Sequence, residues 1–112
     1  MAFAPGRIYQ GSNLRQDIIF YDDLGAQTDP AAVVFKTYDP CGGTATYTYG
    51  TDTAVQRVAA GEYLADIVPT RAGRWRYRWE ATGLGQAFAQ EGNFVVQVSP
   101  FFDDVETGYA LP

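Results

Sequence analysis

At 112 residues the chain has the length of one domain, and a 15% share of aromatic residues gives it enough core material to fold without staples. A formal net charge of −5 argues against general attraction to nucleic acid or anionic membranes, since both need a cationic surface. The single cysteine, Cys41, excludes an intrachain disulfide, and the absence of histidine removes the commonest general base, the usual nucleophile triads and most zinc sites.

In chain order, residues 1–7 read as an extended arm. Residues 1–6 lack a cationic start followed by an apolar run, so no signal peptide is expected. No stretch approaches the apolar length of a membrane-crossing helix. Residues 8–21 are strand-like, with Ile18 and Phe20 on one face and Ile19 and Tyr21 on the other. Apolar groups on both faces fit a strand inside a sandwich, or one partly covered by a partner. Asp22-Asp23-Leu24-Gly25 makes a turn, and Thr28-Asp29-Pro30 a second break. A strand over residues 33–38 ends at Pro40-Cys41-Gly42-Gly43, where Cys41 is a plain turn residue. Residues 44–49, rich in Thr and Tyr, suit a half-exposed pleated surface. Residues 55–58 are a short strand or an irregular connection.

The densest pattern spans residues 61–94. Tyr63, Ala65 and Ile67 fall on one side of a first strand. In Gly73-Arg74-Trp75-Arg76-Tyr77-Arg78-Trp79-Glu80 the rings alternate with charges at a strict period of two. Trp75, Tyr77 and Trp79 are therefore expected inside, with Arg74, Arg76, Arg78 and Glu80 outside. Thr82-Gly83-Leu84-Gly85 turns the chain into a last strand over residues 86–98, where Gly92-Asn93 reads as a bulge. These three strands are expected to pair consecutively, placing Glu62 and Asp66 across the ladder from the arginines. About seven short strands, no helical period and no internal repeat imply an all-β antiparallel sandwich, with a small barrel as competitor. After Ser99-Pro100, a tail over residues 99–112 carries Phe101, Phe102, Tyr109 and Leu111, too many apolar groups for a purely solvated terminus.

Candidate chemistry is sparse. Neither phosphate-loop fingerprint can be matched, and the acids Asp22, Asp23, Asp29, Asp103, Asp104 and Glu106 lack the spacing of a calcium loop, so they read as solvated turn acids. No catalytic residue, cofactor or metal ligand is assigned. The row Arg74, Arg76, Arg78 reads as a solvated charged face, with a protein-partner patch as the sharper alternative. Single-strand nucleic acid binding is disfavoured, because alternation sends rings and guanidinium groups to opposite faces. Tyr38, Tyr47 and Tyr49 could form a ring platform for sugars.

The runs Lys36-Thr37-Tyr38-Asp39-Pro40, Thr46-Tyr47-Thr48-Tyr49-Gly50, Gly61-Glu62-Tyr63-Leu64-Ala65-Asp66-Ile67, Ala72-Gly73-Arg74-Trp75-Arg76-Tyr77-Arg78-Trp79-Glu80 and Glu91-Gly92-Asn93-Phe94-Val95-Val96 resemble small immunoglobulin-like domains of tailed bacteriophages. The likeness covers residues 6–100. It implies an immunoglobulin-like sandwich over residues 8–98 and a non-enzymatic virion structural role. Such a module would be a capsid decoration or cement protein, or a head–tail connector-type accessory, assembled in the bacterial host cytoplasm. Its partners would be other virion proteins, met in several symmetric copies, with no nucleic acid and no membrane. The alternative is an adhesion or carbohydrate-binding module on a particle or fibre. The expected partner contacts are Phe3, Ile8, Tyr9, Phe101, Phe102 and Tyr109, the aromatic and apolar anchors of the two ends.

Overall fold

Alternating burial needs two layers, and two sheets form. The structure, a computed structural model, describes residues 7–101. Among them are eight strands and no helix: β1 (Arg7–Tyr9), β2 (Leu14–Ile19), β3 (Ala32–Tyr38), β4 (Thr44–Thr48), β5 (Val55–Ala59), β6 (Glu62–Ile67), β7 (Gly73–Thr82) and β8 (Phe88–Gln97). One sheet runs β1-β8-β7-β3-β4 and the other β2-β6-β5. Every strand pairing is antiparallel except β1 with β8, which is parallel.

The core lies between the layers. Leu14, Ile18 and Phe20 with Val55, Tyr63, Ala65 and Ile67 from one side meet Val33, Phe35, Trp79, Ala81, Phe94 and Val96 from the other. Trp79 is its largest fully buried side chain, wedged against Phe35 at 4.7 Å and edge-on to Phe20. Tyr77 stacks on Phe35 and Trp75 on Phe94, so the ring side of β7 faces inward as its alternation requires.

Three local expectations are corrected. Residues 8–21 are two strands in different sheets, because the chain reverses at Gly11, where Ser12 N–H donates to Tyr9 C=O. That split brings the total to eight, while residues 55–59 form an edge strand, the first of the two readings given for them, with a register shift between Arg57 and Ala59. β6 does not pair with β7 but with β2 and β5, and residues 68–72 carry the chain across to the other sheet. Alternation fixes which side chains turn inward and leaves the neighbouring strand open; Pro69, with no N–H for a ladder, breaks the stretch where a hairpin was expected.

The third correction concerns Gly92. The β7–β8 register runs without a bulge from Gly73↔Val96 to Ala81↔Phe88. Gly92 serves a close approach instead: a Cβ there would lie 2.4 Å from the Tyr77 hydroxyl and 2.5 Å from its ring. The Tyr77 ring covers the space that a larger residue would fill.

Candidate functional site

The two ends of the described chain meet on one sheet edge. β1 lies along β8 in the register Arg7↔Val95, Ile8↔Val96, Tyr9↔Gln97. Ile8 shares the inward face of its partner Val96 and packs against the core, so it is not an exposed contact. Tyr9 takes the opposite face and is 57% exposed. The next residue, Gln10, is buried, and its amide is satisfied at both ends. Its Nε2 donates to Thr70 C=O at 2.9 Å and its Oε1 accepts from Ser99 N–H at 3.0 Å. Its backbone N–H donates to Gln97 C=O. One side chain thus ties the exit of β1, the exit of β8 and the β6–β7 crossing. Two residues beyond Ser99, Phe101 stands almost wholly exposed. Of the expected anchors, Tyr9 and Phe101 are therefore exposed close to the Gln10 link. Phe3, Phe102 and Tyr109 lie outside the described residues.

The outer face of the five-stranded sheet carries the arginine row. Arg78 donates to Glu80 and to Glu91, each at 2.7 Å, and Lys36 reaches Glu80 at 3.2 Å. Hydrogen bonds from Arg78 and then Lys36 hold the Glu80 carboxyl below its ordinary value. The arginines were expected opposite Glu62 and Asp66; those acids belong to the other sheet, where Asp66 meets Arg15 and Asn13 and Glu62 meets Gln27. Arg74 and Arg76 are exposed and have no hydrogen-bond or ion-pair partner among the described residues. A shallow groove of about 450 Å³ runs beside the row between Tyr38, Thr44, Thr46, Arg76 and Glu91.

Tyr38, Tyr47 and Tyr49 do not share a platform. Tyr47 turns inward opposite Phe35, while Tyr38 takes the other face of β3, the one that carries Lys36. Tyr49 packs edge-on against Tyr63.

Asp29 is more than a turn acid. Its carboxylate accepts a forked contact from Arg57, the Gly61 N–H at 2.8 Å and the Tyr63 hydroxyl at 3.1 Å. The Arg57 bonds lead in holding its pKa down at about 2. Burial first, and then the bond to Asp29, push the Tyr63 phenol up. Gly61 has to be glycine here, with φ +75° and Thr28 N within 2.9 Å of where a Cβ would stand. The knot fastens the β5–β6 hairpin to the segment that links the two sheets. Asp22 likewise works locally, accepting the N–H groups of Leu24 and Ala26 and the Thr28 hydroxyl. Among the described residues no three carboxylate or thiol groups come together as a metal cluster. Cys41 is exposed in its turn, beside Arg71.

Neither Gln10 nor Asp29 was assigned its role from sequence. The partners of Gln10 lie 60 and 89 residues away and those of Asp29 about thirty, and no local period marks either. No family model matches this chain, and no curated protein matches it.

Proposed function

We propose that the chain is a non-enzymatic docking module: a bacteriophage virion structural protein that attaches to capsid or head–tail proteins as a decoration, cement or connector-type accessory. The observation that carries this reading is the edge where Gln10 gathers the first and last described strands, with the aromatic side chains of Tyr9 and Phe101 exposed around it. Exposed rings beside a rigid anchorage are what a protein interface uses for affinity, because large rings bury much area at little conformational cost.

The sheet order supports the immunoglobulin-like part of the reading. β7 lies between β8 and β3, β4 extends that sheet, and β2 opens the opposing layer, as in variable-type sandwiches.

The test uses the full-length chain with Tyr9→Ser and Phe101→Ser together. Both side chains stand in solvent, so the variant keeps the melting behaviour of the parent and fails to join particles. Normal incorporation of the folded variant would refute docking through this edge.

A further inference from the structure

Of the two edges of the five-stranded sheet, one is β1 with the docking edge; the other is β4, which pairs with β3 alone. Its register decides which backbone groups face outward. Tyr49 N–H donates to Val33 C=O at 3.0 Å and Asp39 N–H to Gly43 C=O at 2.8 Å, so the bonded pairs fall on odd-numbered residues. Antiparallel bonds recur at every second residue. Ala45 and Tyr47 therefore turn their backbone groups toward β3, while Thr44, Thr46 and Thr48 turn theirs away. Those of Thr48 are used within the chain: its N–H donates to the Asp52 carboxylate, and its C=O accepts from Thr51 and Asp52. Thr44 and Thr46 are exposed, and no described residue pairs with their outward N–H and C=O groups.

This edge is also unguarded. Sheet edges are ordinarily blunted by charge, proline, a bulge or brevity. β5 has its register shift, β2 carries Arg15 and Asp17, and β1 has three residues. β4 reads Thr44-Ala45-Thr46-Tyr47-Thr48, regular and uncharged.

The two faces beside the edge differ in chemistry. Thr44 and Thr46 share the outer face with their register partners Tyr38 and Lys36, and behind those stand Arg76 and Arg78. That face holds Lys36, Arg74, Arg76 and Arg78 against Glu80 and Glu91, four cations to two carboxylates in a chain of net charge −5. Lys36 and Arg78 are engaged with those acids, whereas Arg74 and Arg76 have no partner among the described residues. On the inward face, Ala45 and Tyr47 are half-buried at the rim of the core.

We infer that β4 accepts an extended segment of another protein as an added strand, and that acidic and apolar residues alternate in that segment. Main-chain bonds to Thr44 and Thr46 hold it. Its acids fall on the face of the arginines, and its apolar residues fall beside Ala45 and Tyr47. A second copy of β4 is not the occupant, because antiparallel pairing of the two would set two cationic faces side by side. The site lies at the opposite edge from Tyr9 and Phe101 and does not depend on docking there.

The test titrates the ¹⁵N-labelled full chain with a short capped peptide of alternating Glu and Val. The amide signals of Thr44 and Thr46 move and their hydrogen exchange slows, while the Gln56 signal on the other sheet stays in place. Thr46→Pro abolishes the response, since it removes one outward N–H and leaves the β3 ladder intact, as an edge strand tolerates. Arg74→Gln combined with Arg76→Gln, at exposed positions that folding does not need, lowers the association rate by about tenfold at low salt. A peptide of alternating Lys and Val gives no response. An equal response to that peptide, no response to the acidic one, or shifts over the arginine row without slowed exchange at Thr44 and Thr46 overturns the proposal. So does slowed exchange at both threonines on raising protein concentration alone, which would assign the edge to a second copy.

Discussion

Asp29 shows how a single carboxylate can fasten distant parts of the chain. Its depressed pKa means that the folded state favours the ionised form. The stability this contributes is present above the ordinary carboxylate value near 4 and is lost as pH falls toward about 2. Roughly four-tenths of the Asp29 side chain is exposed, so solvent screens part of the attraction. We expect Asp29→Asn to lower the melting temperature at pH 7, and the gap between variant and parent to close between pH 4 and pH 2. A gap that stays constant over that window would show that the charge is not what matters. Gln10 makes a different kind of contribution: its own side chain is buried, while Thr70 is exposed and Ser99 half-buried. Gln10→Ala removes two hydrogen bonds, each worth about 0.5–1.5 kcal/mol net, and is expected to lower the stability read in urea unfolding by their sum.

Within the elements, β7 was the most legible part of the sequence and its neighbours the least. The period of two in Trp75, Tyr77 and Trp79 identified the inward face correctly, because burial on one side of a strand leaves that mark in any sandwich. Trp79→Ala is therefore expected to cost roughly 3–5 kcal/mol, read as a lower urea midpoint with little change in slope. Strand partnership leaves no such mark. β6 and β7 are consecutive and both alternate, yet they belong to different sheets, and that choice is made by the crossing at residues 68–72 and by packing across the core. Gly92 illustrates the same limit. A glycine inside a strand signals a bulge or a close approach, and only the position of the Tyr77 ring decides between them. Gly92→Val is expected to push the Tyr77 ring off Phe35 and so destabilise the fold, whereas the same change with Tyr77→Ala loses less than the sum of the two single effects. Additive losses would show that the two do not share the space.

For the whole molecule, the sandwich was legible because about seven short alternating segments and their turns leave few other ways to bury so many rings, although eight strands form among the described residues. The candidate site was legible only in part. Tyr9 and Phe101 were expected as contacts because they are aromatic residues toward the two ends, and both stand exposed; Ile8, expected beside Tyr9, turns inward, as the register with Val96 dictates. The convergence of the first and last described strands on Gln10 could not be read from sequence, since it depends on a parallel pairing between them. The central claim is that this edge is where the molecule grips its neighbours. Its most direct test is site-specific photo-cross-linking in assembled particles, with the reactive group placed in turn at position 9, position 101 and position 56 on the other sheet. The account predicts cross-links to one neighbouring structural protein from positions 9 and 101 and none from position 56; cross-links from position 56 alone would contradict it.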